Sequence, residues 1–459
     1  MGHAEFTLRN QPAQKPISLD EFWMPFTPNR DFKSDPKIVV RAEGMYYWND
    51  RGEKIIDASS GLFCVAAGHG RREIAEAVHQ QLSELDFVAP FLRAHPKSFE
   101  LATRVAELTP GDLNRVFFVN SGSESVDTAM KVALAYHQAR GQSGRTMFVS
   151  RERAYHGVNF GGVALSGIVN NRRKYGPGIA GVVHMRHTHL KENLFTPGEG
   201  THGAELADDL LRFVTLYGAE NIAACFVEPI AGSTGCLVPP KGYLARLREI
   251  CDTHGILLVF DEVITGFGRT GQPFGAQSLG VTPDIMTMAK AITNAAQPMG
   301  AVAISERIHD TVMGAAQDGA IEFFHGYTYS GHPAACAAGL ATLDIYRNEG
   351  LFERARARAV LPAGDVLAAR RAAHHRHPRL WHVRRVRPRL GRRARPPRPR
   401  SAEKAVRQRP EPQDHRRLRA DRATADRREI ACRRDYRHLA QDGRLAIGFV
   451  PHHPRETAS

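Results

Sequence analysis

Ile256-Leu257-Leu258-Val259-Phe260-Asp261-Glu262-Val263-Ile264-Thr265-Gly266 decides the fold. Five apolar residues in a row, too few for a helix, read as a strand buried on both faces, the mark of a parallel sheet. Asp261 closes the run, so a carboxylate stands where the chain leaves the sheet. A second apolar run, Ile285-Met286-Thr287-Met288-Ala289, ends on Lys290. Ligands and reacting groups of open α/β sheets gather at such C-terminal strand ends.

Further strands read the same way. Candidates are Arg115–Val119, Thr146–Ser150, Gly181–His184, Ala223–Glu228, Ile256–Asp261 and Gly300–Ile304, alternating with helical patterns and short Gly-rich connections. The first is followed by Asn120-Ser121-Gly122-Ser123-Glu124-Ser125 and a helical pattern from Val126 to Ala139. Small residues between a strand and a helix start bare backbone N–H groups to a phosphate, although ordinary helix caps look alike. After Thr146-Met147-Phe148-Val149 comes Tyr155-His156-Gly157, where an aromatic ring suits stacking. An amine that can bond to an aldehyde, with a carboxylate that keeps a ring nitrogen protonated, is the pair pyridoxal phosphate (PLP) chemistry needs. Taken singly, strand-end Asp and Lys are ordinary solvated groups.

The ordered set Ser-Gly-Ser, Tyr-His-Gly, Glu-Pro-Ile, Asp-Glu-Val-Ile-Thr-Gly-Phe-Gly-Arg, Ala-Lys and His-Gly-Tyr-Thr-Tyr-Ser-Gly-His-Pro resembles the class III (omega) aminotransferases, from about Leu19 to about Ala357. Phe22-Trp23-Met24-Pro25-Phe26-Thr27-Pro28-Asn29-Arg30 and Ala66-Ala67-Gly68-His69-Gly70 are similar to the omega-amino acid:pyruvate (beta-alanine:pyruvate) branch. The resemblance implies PLP fold type I, an α/β class with a large domain on a mostly parallel sheet and a small domain that is incomplete or scrambled after about residue 357. It implies ping-pong transamination from an omega-amino acid or amine to pyruvate, giving alanine. A relative using another keto acid, or a racemase, is the alternative within enzymes.

Residue by residue, the resemblance implies that Lys290 bonds to the cofactor and then serves as the base, and that Asp261 pairs with its ring nitrogen. Val263 and Tyr155 would pack on the two ring faces. Ser121, Gly122 and Ser123 would hold the phosphate, and His156 and Glu228 would lie near the cofactor. Thr328 would reach the phosphate of a neighbouring subunit, which implies a homodimer or a dimer of dimers. Ile264 stands where many relatives carry Gln. Trp23, Phe63 and Tyr155 are candidates for the substrate pocket, with plain core packing an equal reading of Trp23 and Phe63.

Three bounds complete the picture. Residues 1–18 are polar, with no secretory pattern, and no apolar run approaches the roughly 20 residues of a membrane span, so a cytoplasmic enzyme is expected. Cys64, Cys225, Cys236, Cys251 and Cys336 read as buried small residues in a reducing compartment. His184, His187 and His189, with His202 nearby, lack acidic or cysteine partners at ligand spacing, so no metal is expected.

The net charge is +14, but it is unevenly spread. From Leu351 onward there are 29 Arg, one Lys and 11 acidic residues, a balance of +19, which leaves the preceding 350 residues at −5. Arg371–Arg379 and Arg392–Arg400 have neither helical nor strand period. Three accounts fit: a translated frameshift, a basic tail that binds nucleic acid, or a divergent domain. An excess of Arg, Pro, Ala and His with almost no Lys, starting abruptly, favours the frameshift and speaks against nucleic acid. The expected division is 1–72 as an N-terminal contribution to the small domain, 73–335 as the large PLP-binding domain, 336–357 as a linking helix and 358–459 as the aberrant tail. The resemblance implies that the C-terminal domain supplies an Arg for the substrate carboxylate. No stretch after Ala357 matches it, so none is assigned, and low solubility or weak activity is expected of the chain as it stands.

Overall fold

The computed structural model describes residues 5–6 and 17–359, apart from 177, 195 and 197. These belong to the first of two compact units, Met1–Ala363; the second, Gly364–Ser459, lies outside the described residues, and with it the expectations for the tail beyond 359.

Seven strands build the central sheet: β6 (Arg115–Val119), β7 (Met147–Arg151), β8 (Val182–Met185), β9 (Ile222–Val227), β10 (Leu257–Asp261), β11 (Ile285–Met288) and β12 (Gly300–Ile304). Their order is β6-β12-β11-β10-β9-β7-β8. Only β12 is antiparallel to its neighbours; every other adjacent pair is parallel. The quoted run explains itself here. Leu258 and Phe260 enter the core beneath the helices Pro96–Ala106, Tyr243–His254 and Pro333–Asn348. Leu257 and Val259 enter the opposite core, under the helix Gly122–Ala139. With both faces covered, every residue of β10 must be apolar until Asp261. Truncating a core ring such as Phe260, fully buried, costs about 3–5 kcal/mol.

Expected and observed strands differ by a residue at several ends, for local reasons. Gly181 sits at φ +81°, outside the extended region, so β8 begins at Val182. The N–H of Ile256 bonds to the Cys251 carbonyl and closes the preceding helix, so β10 begins at Leu257.

Ahead of the sheet lie β1 (Glu5–Phe6) paired with β2 (Ile17–Ser18), and an antiparallel sheet of β3 (Val39–Glu43), β4 (Tyr46–Asn49) and β5 (Lys54–Ile56). The small sheet keeps Val39, Val40, Ile55 and Ile56 exposed. Among the described residues, no helix is long and apolar enough to cross a membrane.

Two cysteines correct the sequence reading. Cys225, Cys251 and Cys336 are buried as expected, but Cys236 is exposed and Cys64 half-buried. Both lie in irregular loops: Cys236 has φ +55° inside the turn closed by the Ala231–Leu237 bridge.

Candidate active site

The parallel strands β7, β9, β10 and β11, with β6 running the same way, end on one edge of the sheet and deliver Tyr155, Glu228, Asp261, Lys290 and Ser121–Ser123 there. Asp261 and Thr287 are register partners, which brings the end of β10 beside the approach to Lys290.

Asp261 is held from two sides. Its Oδ2 accepts from His156 Nδ1 at 2.8 Å, and its Oδ1 accepts the Val263 N–H at 3.2 Å. His156 is 1 % exposed and its Nε2 has no partner among the described residues, so the ring is committed to Asp261. Donation from Nδ1 fixes the carboxylate's direction.

Lys290 opens the one-turn helix Lys290–Thr293 at φ +52°, a strained conformation for a side chain of its size. Its ammonium is half-buried and makes no hydrogen bond or ion pair among the described residues. Burial pulls its pKa below the ordinary lysine range, with Cys64, Asp261 and Glu228 opposing and Arg269 adding to the fall.

Ser121 caps the helix Gly122–Ala139, its Oγ accepting the Glu124 N–H at 3.2 Å. Ser123 Oγ accepts the Val158 N–H at 3.0 Å. Two glycines are required by close approach. A Cβ on Gly157 would meet Ser123 Oγ at 2.5 Å, and one on Gly122 would meet a Val263 methyl at 3.0 Å. The turns after β6, β7 and β10 therefore interlock around one hollow. Tyr155 is fastened through its N–H to Glu228 Oε1 at 3.0 Å, and the other oxygen takes the Gly232 N–H at 2.9 Å. Burial pushes the Glu228 carboxyl up, against the pull of His156 and these two N–H groups.

Behind the site, Glu262 is fully buried and accepts from Gly275 and Ala276 N–H groups (2.8 and 2.6 Å) and from the Thr265 hydroxyl. Burial raises it to about 7. This carboxyl ties the turn after Asp261 to the helix Gly275–Leu279, a role that no local sequence pattern signals. Ile264 packs on Gly232, whose Cβ would meet Ile264 Cδ1 at 2.5 Å, so it braces the Glu228 loop.

Phe63 approaches from the loop before the helix Arg72–Glu84. Ser60, Gly61, Leu62 and Phe63 all have positive φ (52°, 57°, 63° and 65°), a left-handed turn that costs about 1–2 kcal/mol per residue other than glycine. Asp57 holds it together, accepting from Ser59 N–H, Ser59 Oγ, Gly61 N–H and His69 Nε2. Asn294, four residues after Lys290, clamps the end of this loop, accepting from Ala67 N–H and donating to the Gly68 carbonyl. The loop therefore rests on the Lys290 turn.

Two sequence candidates are exposed. Trp23 is 89 % exposed, and no hydrogen bond or ring contact ties it to the site among the described residues. Thr328 lies on an exposed segment. Of the histidine group, His184 bonds to the Leu165 carbonyl and His187 Nδ1 accepts the His189 N–H; the described residues contain no cluster of three or more potential metal ligands.

The arrangement fits PLP on its own geometry. Lys290 offers an unpartnered amine, Asp261 an oriented carboxylate, and Gly122, Gly157 and the serines a backbone cradle into which no Cβ would fit.

Comparison with known proteins agrees. A family model described as aminotransferase class-III matches residues 29–378. An omega-aminotransferase of Caulobacter vibrioides is 58% identical over 338 residues, covering 73% of this chain and 77% of its own. An omega-amino acid–pyruvate aminotransferase of Pseudomonas putida is 52% identical over 355 residues, 76% of this chain and 78% of its own. Among solved structures, a thermostable (S)-enantioselective omega-transaminase from Thermomicrobium roseum superposes with a TM-score of 0.68 at 40% identity, covering 72% of this chain and 73% of that one. An omega-transaminase from Pseudomonas jessenii in complex with PMP gives 0.68 at 36%, covering 72% and 73%.

Proposed function

Because the chain belongs to the class-III aminotransferases, a PLP-dependent family, we propose that it transfers the amino group of an omega-amino acid such as beta-alanine to pyruvate, forming alanine. The observation that carries this reading is the convergence of a Lys290 amine, unpartnered among the described residues, with the His156-oriented Asp261 carboxylate at one sheet edge. Bound PLP supplies an aldehyde that takes the amino group and a ring that accepts the electron pair left when the donor carbon loses its proton.

The chain's own residues do the rest. Lys290 Nζ, with its pKa lowered by burial, takes up and returns the proton near neutral pH more readily than a solvated lysine. Asp261 holds a proton at the ring nitrogen, and His156 fixes its direction. Ser121, Gly122 and Ser123 bind the phosphate at the helix start. Tyr155 and Val263 take the two faces, and Glu228 positions Tyr155 through its backbone. Phe63 borders the substrate space.

The same reading makes the protein a cytoplasmic homodimer or dimer of dimers in which Thr328 serves the neighbour's phosphate site. What supports the pairing is the exposed segment around it, where Phe324 and Tyr329 face outward. It also divides the chain into 1–72, 73–335, 336–357 and 358–459. The test is alanine formation from pyruvate and beta-alanine by the cofactor-loaded chain. Lys290→Ala is expected to abolish it, and turnover retained in that variant would refute the assignment.

A further inference from the structure

Arg269 sits at the end of the turn that begins with Asp261, half-buried against the left-handed loop. Its Nη2 donates to the Phe63 carbonyl at 3.1 Å, and its guanidinium carbon lies 5.8 Å from the Phe63 ring centre. That bond uses one of five N–H donors. Among the described residues, no carboxylate lies within ion-pair range of it. Its polar neighbours are Cys64, Cys236 and Tyr346, which are neutral at working pH, and its charge is felt by Lys290. A partly desolvated guanidinium without a counter-ion is costly to keep, and a planar fork with free donors matches a carboxylate.

We propose that Arg269 is a substrate-specificity residue whose free guanidinium edge receives the carboxylate of the omega-amino acid or keto acid, beside the Phe63 ring. Three observations converge on it. Among the described residues the cation has no ion-pair partner. The loop presenting Phe63 is held in a left-handed turn by Asp57 and Asn294, so the Phe63 carbonyl fixes the guanidinium's position. And the same loop rests on the turn that carries Lys290, whose amine feels the Arg269 charge. The inference rests on the transaminase reading and adds to it the group that separates an omega-amino acid from a plain amine.

The test uses two donors of matched length, beta-alanine and propylamine, in the donor half-reaction of the cofactor-loaded full chain, followed by cofactor absorbance. Arg269→Gln is expected to lower kcat/KM for beta-alanine by about 10- to 100-fold, mainly through KM, and that for propylamine by less than threefold. Arg269→Lys should restore part of the beta-alanine rate. Equal losses for both donors would show that Arg269 only props the Phe63 loop, and would overturn the proposal, as would no loss for either. If the unaltered chain reacts with neither donor, the transaminase reading fails. Propionate binding, measured by calorimetry without turnover, then decides the site: a tenfold or greater weakening in Arg269→Gln supports it, and unchanged affinity sinks it.

Discussion

Lys290 faces the cost of a buried charge before any chemistry occurs. Its ammonium lacks a partner among the described residues, and burial holds its pKa below the ordinary 10.5. The sign of the linkage follows. With the folded pKa depressed, the unfolded chain binds the proton more tightly, so the residue lowers stability at low pH. That cost fades as pH rises from the folded pKa toward 10.5. Replacing Lys290 by Met keeps the aliphatic stem and removes the charge. The cofactor-free variant is therefore expected to melt above the parent at neutral pH, with the gap closing toward pH 10, as scanning calorimetry would record. A gap that does not change with pH would mean that the ammonium finds compensation. At this scale the sequence was half legible. Asp261 and Lys290 announce themselves because each ends an apolar run. Arg269 does not, since its isolation depends on which side chains are absent from its surroundings, and no local pattern encodes that.

Strand-end turns act as a unit. Gly157 at φ +100° lies against Ser123, and a methyl group there would meet Ser123 Cα at 2.8 Å as well as its Oγ. Gly157→Ala should destabilise the chain by about 1–3 kcal/mol and weaken cofactor retention, because the phosphate-binding serine must move. Unfolding curves and cofactor titration of the purified variant would report both; an unchanged cofactor affinity would separate Gly157 from the phosphate cradle. Elements were the most readable level. β6 and β12 fall on the ranges read from sequence, since both faces of the sheet are covered and apolar runs have no competing explanation. The left-handed turn at Ser60–Phe63 was not readable, because Leu and Phe give no sign of positive φ and the bonds that enforce it come from Asp57, Asn294 and Arg269. The pairing of His156 with Asp261, 105 residues apart, needed the sheet order before it could be seen.

For the whole molecule, the composition changes after Ala357 from an acidic balance to an Arg-rich one, as a shift of reading frame would leave it. Sequencing the gene across the codons for Gly350 to Arg370 is expected to reveal another frame that continues into apolar, periodic sequence. An uninterrupted present frame, with no other open, would make the basic tail genuine. A separate consequence follows from the sheet order. Among the described residues β6, which leads into Ser121–Ser123, pairs only with β12, and β12 is the last of the sheet's described strands to be made. During synthesis the first strand must wait, unpaired on its inner edge, until residue 304 has left the ribosome. The phosphate cradle is thus completed late, although its serines are made early. A nascent chain that has emerged only as far as Met299 would hold the Asp261 and Lys290 strands side by side yet have no seat for the cofactor's phosphate.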